Sequence, residues 1–267
     1  MSDPTKMNPR SIETLKAVMA ALRAPQSGCP WDLQQSFSSI APYTIEEAYE
    51  VVDAIEKQDM PSLMDELGDL LFQPIYHAQL AAEVGAFTFD DVIEAVVTKM
   101  IRRHPHVFGD EAARKAGVQK GFWEANKAEE RAGEQKQGLL ASVPKTLPGL
   151  TRAQKLTAKA AKVGFDWPSI DFVYKKLAEE ITELKEAQPD KQAGELGDIL
   201  FVIANLARHL GIDPEAALRT TNAKFERRFG FIETELAKLG KEPKDSDLEE
   251  MDALWNEAKK IESAFQG

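Results

Sequence analysis

The chain has one cysteine, Cys29, in 267 residues. An internal disulfide and a cysteine-built zinc site are therefore excluded, and the composition fits a reducing, cytoplasmic setting. Long hydrophobic runs are missing too. The longest, Ile199 to Ala204, falls far short of the roughly 18 residues that a membrane span needs. Met1 to Leu15 has no apolar stretch of the secretory kind, so no signal peptide is expected. Positive charge is in deficit: 33 Lys and Arg stand against 44 Asp and Glu, a net charge of −11. Such a field repels phosphate backbones and anionic lipid, so neither a stable nucleic-acid partner nor a membrane is expected. Asn-Gly and Asp-Gly hairpin signals and sustained period-two alternation are absent, which argues against β structure. No Gly-x-x-x-x-Gly-Lys-Ser/Thr loop occurs, so a P-loop enzyme is unsupported. The four histidines follow Pro74, Ile101, Arg103 and Leu206 by three residues, never a glutamate, which excludes a ferritin-like di-iron bundle. The His104-Pro105-His106 pair reads as structural.

What is present is a helical pattern. Apolar residues make up 43% of the chain, enough for a real core. Ile12, Leu15, Met19 and Leu22 form one stripe, stopped by Pro25 and Gly28. A second helix is expected from Thr44 to about Gln58, with Thr44 and Glu47 as a Thr-x-x-Glu capping box. A third runs from about Pro61 to Glu83, bent at Pro74. A fourth covers about Thr88 to Arg103, ending before His104-Pro105. The fold class is all-α. The polar stretch Glu129 to Gln137, interrupted by Gly133 and followed by Gly138, Pro144 and Pro148, marks a seam. The expected organisation is a first module over residues 1–135, a linker over 136–149 and a second module over 150–267.

The second half repeats the first. Trp31-Asp32 is matched by Phe165-Asp166-Trp167, and Glu46-Glu47-x-x-Glu50 by Glu179-Glu180-x-x-Glu183. Asp65-Glu66-Leu67-Gly68-Asp69-Leu70-Leu71-Phe72 is matched by Gly194-Glu195-Leu196-Gly197-Asp198-Ile199-Leu200-Phe201. Lys99-x-x-Arg102-Arg103 returns as Lys224-x-x-Arg227-Arg228, and Trp123-x-x-x-Lys127 as Trp255-x-x-x-Lys259. Five blocks in one order indicate duplication, which a mere likeness among acidic helices does not explain.

The carboxylates come in pairs three apart: Glu47 with Glu50, Glu66 with Asp69, Glu180 with Glu183, and Glu195 with Asp198. Residues at this spacing share a helix face. Two such helices side by side would bring four carboxylates together, and their repulsion needs a cation. The plain alternative is a solvated acidic face. Against it, Glu180 borders the stripe of Val173, Leu177, Ile181 and Leu184, and Glu195 borders that of Leu196, Ile199, Leu200 and Ile203. Partly buried carboxylates need partners, and none is expected within sequence reach. Oxygen-only ligands suit Mg²⁺, with Mn²⁺ as a substitute. Lys224 and Arg228, four apart, share a face that suits phosphate oxygens, while Trp255 and Lys259 suit a base and a phosphate. Core packing is the alternative for Trp123 and Trp255.

The order Glu-Glu-x-x-Glu, Glu-x-x-Asp, Lys-x-x-x-Arg resembles the MazG family of nucleoside triphosphate pyrophosphohydrolases. Cys29-Pro30-Trp31-Asp32, Arg102-Arg103-His104-Pro105-His106-Val107-Phe108 and Gly164-Phe165-Asp166-Trp167 extend the likeness over nearly the whole chain, to bacterial members with two tandem modules. The resemblance implies helical bundles completed in a homodimer, Mg²⁺, and hydrolysis of nucleoside triphosphates to monophosphate and pyrophosphate as nucleotide house-cleaning. Carried over by motif, Glu180, Glu183, Glu195 and Asp198 hold the metal, and Glu179 or another acid of this set helps activate water. Lys224 and Arg228 bind phosphates, with Trp255 and Lys259 by the nucleotide. The first-module counterparts are Glu47, Glu50, Glu66, Asp69, Lys99, Arg103, Trp123 and Lys127. One departure stands out: 11 residues separate Glu183 from Glu195, against 15 between Glu50 and Glu66, a loss of about one helical turn. Asn222 stands where the first module has Val97, and only an amide can hydrogen-bond a sugar or base. Two other readings stay open, a non-enzymatic nucleotide sensor or adaptor and a phosphate-anhydride hydrolase releasing inorganic phosphate.

Overall fold

The structure is a computed structural model that describes residues 3–116 and 138–265. The expected linker start, Trp123 and Lys127 lie outside the described residues. The chain divides into two units, Met1–Glu134 and Gln135–Gly267. All regular elements among the described residues are helical.

The first unit contains α1 (Ile12–Leu22), α2 (Pro30–Leu33), α3 (Phe37–Lys57), α4 (Met60–Glu83), α5 (Phe89–Arg103), α6 (Pro105–Phe108) and α7 (Glu111–Ala116). Helices α3 and α4 pack together across a two-residue turn. Gln58 adopts a left-handed conformation there, φ 57°, and Asp59 caps α4 by accepting from the Ser62 amide at 3.1 Å. Helix α1 lies against α4, and Met19, Ile40, Ile75, Tyr76 and Leu80 form the core between these helices. Thr88 and Asp91 form a reciprocal capping box at the start of α5.

The expected start of α3 needs correction. The helix begins seven residues earlier, at Phe37, where Ser36 and Ser39 form the capping box. Thr44 therefore lies inside the helix, with its hydroxyl 3.0 Å from His77 Nε2, and Glu47 is not a capping acid. The helix runs through Pro42, as α4 runs through Pro74. Tertiary packing of Ile40, 2% exposed, holds the early turn in place.

The second unit contains α8 (Gly149–Ala161), α9 (Ile170–Glu186), α10 (Gln192–Leu210), α11 (Pro214–Lys238) and α12 (Leu248–Phe265). Helices α9 and α10 form the hairpin equivalent to α3 and α4, α8 packs on α10, and α11 packs on α12. Gly211 ends α10 with φ 70°, and Asp213 caps α11 ahead of Pro214. The shorter connector has a plain structural outcome. Helix α3 continues seven residues past Glu50, but α9 only three past Glu183. The loss falls at the hairpin tip, so both acidic pairs keep their place within the helices.

A buried polar network fixes α2 in the first unit. Arg23 reaches Glu83 at 2.6 Å and donates to the Asp32 carbonyl, while the Tyr76 hydroxyl donates to Asp32 Oδ1 at 3.0 Å. Burial, opposed by Arg23 and aided by Asp32, pushes the Tyr76 hydroxyl up to about 12. Arg23 is 9% exposed, and removing it takes the charged partner from Glu83 and one of its donors from the Asp32 carbonyl. We expect Arg23→Ala to cost about 2–3 kcal/mol and Tyr76→Phe about 1–2 kcal/mol, read by urea denaturation followed by helical circular dichroism. Unchanged midpoints in both variants would contradict this account.

Candidate active site

The helical hairpin in each unit turns local spacing into a cluster. Glu47 lies ten residues into α3 and Glu180 ten residues into α9, so the two sites are built at the same depth. In the first unit one carboxylate oxygen each of Glu47, Glu66 and Asp69 lies within 4.8 Å of the others. In the second, Glu180, Glu183 and Glu195 meet the same limit. Glu50 and Asp198 stand outside these tight trios. Glu50 still acts on both Glu47 and Glu66, and Asp198 shares a cavity wall with Glu180.

The electrostatics register the crowding. Burial, then the charges of Asp69 and Glu50, raise the Glu47 carboxyl above its ordinary value. Burial, then Glu50 and Asp69, do the same to Glu66. Glu183 is raised by burial and by Glu180. Hard oxygen donors held close against their own repulsion fit a divalent cation of the Mg²⁺ or Mn²⁺ type.

One sequence expectation fails here. Glu180, only 5% exposed, does have a partner within sequence reach. Lys176, one turn earlier, lies 2.8 Å from Glu180 and 2.6 Å from Glu179. Hydrogen bonds to these two acids raise the ammonium well above the ordinary lysine value. The i, i+4 spacing was the signal that could have found it.

The basic and aromatic blocks sit mainly on α5, α11 and α12. Arg228 donates from Nε to Glu262 at 2.8 Å and lies 5.3 Å from the Trp255 ring centroid. Trp255 also meets Phe225 at 5.3 Å. Lys224 is half-buried, whereas Asn222 and Lys259 are exposed. In the first unit Lys99 and Arg103 are half-buried on α5. None of these residues lines the cavity next to the second acidic cluster. His104 Nδ1 lies 2.6 Å from the Met100 carbonyl, and no metal-holding group among the described residues includes a histidine.

That cavity measures about 580 Å³ and was not legible in the sequence. Glu180, Asp198 and Lys176 supply its charged wall, and Leu156, Trp167 and Phe201 part of its apolar wall. A charged wall continuous with an aromatic one suits a ligand that is itself ionic at one end and flat at the other.

Residues 35–108 match the MazG nucleotide pyrophosphohydrolase domain, and residues 152–225 match the phosphoribosyl-ATP pyrophosphohydrolase family, so the two units are tandem pyrophosphohydrolase domains. A nucleoside triphosphate pyrophosphohydrolase of Escherichia coli K12 is 46% identical over 94% of this chain and 98% of its own length. A Thermotoga maritima protein, nucleoside triphosphate pyrophosphohydrolase/pyrophosphatase MazG, is 43% identical over 93% of this chain and 95% of its own. The Bacillus subtilis protein YabN is 45% identical over 94% of this chain, which spans 52% of YabN. The chain belongs to the MazG family of pyrophosphohydrolases.

The crowded carboxylates make a stability prediction. A carboxyl raised above its unfolded value binds its proton more tightly in the folded state. Its contribution is therefore favourable at low pH and is lost as pH rises through the ordinary carboxylate range. At pH 7 without divalent cation, Glu47→Gln and Glu183→Gln should each raise the melting temperature relative to the unaltered protein. The difference should shrink as pH falls below about 4, where the native carboxyls are themselves neutral. Differential scanning calorimetry in EDTA checks this; a lower melting temperature in both variants at pH 7 would refute it.

Proposed function

We propose that the chain hydrolyses nucleoside triphosphates to nucleoside monophosphate and pyrophosphate in the presence of Mg²⁺, with Mn²⁺ as a substitute. It accepts several bases, acts in the cytoplasm and clears unwanted nucleotides. The observation that carries this reading is the Glu180–Glu183–Glu195 cluster, whose Glu180 lines one cavity together with Asp198 and Lys176. The activity for which the Escherichia coli and Thermotoga maritima relatives are named supports it.

Glu180, Glu183, Glu195 and Asp198 would hold the metal, as would Glu47, Glu50, Glu66 and Asp69 in the first unit. When bound, Mg²⁺ supplies charge neutralisation for the polyphosphate and polarisation of the phosphorus under attack. The chain's own groups do the rest. Glu179, oriented by Lys176 at 2.6 Å, accepts a proton from the attacking water. Lys224 and Arg228 hold the phosphate tail, with Arg228 steadied by Glu262 and by the Trp255 ring. Asn222, Trp255 and Lys259 complete the substrate-binding set of the second unit; Lys99, Arg103, Trp123 and Lys127 are its counterparts in the first. The second unit carries most of the catalysis, because Asn222 offers an amide where Val97 offers none.

A homodimer belongs to the same reading. Leu196, Leu200 and Ile203 follow one face of α10 and are 50%, 46% and 38% exposed, and Leu67 and Leu71 repeat the pattern on α4. An apolar row of this kind needs a covering partner, and a second copy brings its own.

Three measurements test the proposal. Glu180→Gln and Asp198→Asn should each lower kcat by at least about 100-fold with helical circular dichroism intact; full activity with normal Mg²⁺ dependence would remove the metal assignment. Glu47→Gln should lose less activity than Glu180→Gln, and an equal or larger loss would overturn the division between units. Reaction in ¹⁸O-labelled water should place the label in the monophosphate. Labelled inorganic phosphate beside a nucleoside diphosphate would mean that the wrong bond had been assigned.

A further inference from the structure

The described part of the second unit opens with a stretch whose charge is the reverse of the chain's. Residues 138–165 carry Lys145, Arg152, Lys155, Lys159 and Lys162 and no Asp or Glu, in a protein of net charge −11. On α8, Arg152, Lys155 and Lys159 follow at steps of three and four residues and so share one side of the helix. Leu156, Thr157 and Ala160 of the same helix line the cavity beside Glu180.

A second cavity, of about 440 Å³, lies between the start of α8 and the segment that leads into it. Two turns shape that segment: the Ala141 amide donates to the Gly138 carbonyl at 3.3 Å, and the Val143 amide to the Leu140 carbonyl at 3.0 Å. Val143 is 4% exposed and anchors it, and Lys159 donates to the Ser142 hydroxyl. Among the described residues the charged wall of this cavity is Lys145 and Arg152, both cationic.

Arg152 is the residue that calls for a ligand. Its Nε is buried and has no hydrogen-bond partner among the described residues. A buried guanidinium N–H without an acceptor is costly. Neither Arg152 nor Lys145 forms an ion pair with a described residue. Glu215 reaches this place from α11, but its carboxylate accepts from the Leu150 amide at 3.2 Å. An anion with several oxygens satisfies both cations at once, and a phosphate group matches the planar fork of a guanidinium.

We propose that this cavity is a second ligand site of the second unit, in which Arg152 and Lys145 hold a phosphate-bearing anion. No acid lines it, in contrast to the crowded carboxylates around Glu180. Leu140 lines both cavities. An anion that orders the segment between Lys145 and Arg152 therefore acts on a side chain in the wall beside Glu180, and its occupancy alters the affinity for the triphosphate. That coupling rests on the proposed activity; binding of the anion does not.

The experiment titrates the full chain in EDTA with inorganic phosphate and, separately, with pyrophosphate, by isothermal titration calorimetry. Without a divalent cation the carboxylate clusters repel both anions. At least one anion should bind saturably, and the tighter of the two names the source, free phosphate or the pyrophosphate that the proposed reaction releases. Lys145→Gln and Arg152→Gln should each weaken binding at least about 10-fold, whereas Lys224→Gln should leave it unchanged. Lys145 is exposed, so its variant reads binding without disturbing the core. In turnover assays the binding anion should change KM for the triphosphate by about 5-fold or more in the unaltered protein and not in Lys145→Gln. No saturable binding of either anion, or binding kept in both cavity variants, would overturn the proposal. Binding with an unchanged KM would overturn the coupling through Leu140 and uphold the site. Binding that fails in both cavity variants, in a protein that cleaves no triphosphate, would uphold the site and overturn the proposed activity alone.

Discussion

Carboxylates forced together by helix packing are the constraint on which the functional arrangement depends. Glu47, Glu66 and Asp69 repel one another, as do Glu180, Glu183 and Glu195, and the side chains of each trio come from two helices. Apolar burial along each hairpin must outweigh that repulsion. In the first unit it does so through Met19, Ile40, Ile75, Tyr76 and Leu80; in the second, through side chains such as Val173 and Ala204, each 0% exposed. A divalent cation held there would relieve the repulsion stored in the fold, and stability and ligand affinity would then draw on the same charges.

The two units solve this problem differently. In the second, Lys176 offsets part of the charge on Glu179 and Glu180, so Glu180 can be nearly buried. In the first, the same helix position is Tyr43, and Glu47 is left only partly buried. The first unit instead invests its polar groups in the Arg23–Glu83–Asp32–Tyr76 network, which locks α2 against α4. One duplicated hairpin has therefore become tighter around Tyr76 and more open around Asn205, its counterpart by register from Asp69 and Asp198.

Much of this architecture was readable in advance. The stripe of Ile12, Leu15, Met19 and Leu22 gave α1, and the helix expected from about Thr88 to Arg103 is α5, because helical period is a local property. The start of α3 was misplaced because Thr44-x-x-Glu47 reads locally as a capping box, whereas Ile40 is held in the core by contacts distant in sequence. Lys176 was overlooked although its spacing from Glu180 was visible. The engagement of Arg228 by Glu262, 34 residues away, had no local signal.

The sequence alone determined the all-helical class, the duplication and the placing of each carboxylate pair on one helix face. These follow from a period of 3.6 residues acting over a few turns. Only the tertiary structure decided which acids from different helices meet, that Asp198 and Lys176 share a wall with Glu180, and that Asn205 leaves a cavity where Tyr76 fills one. The reason is physical: distances between helices are set by how side chains far apart in sequence interlock, and no local periodicity encodes that fit.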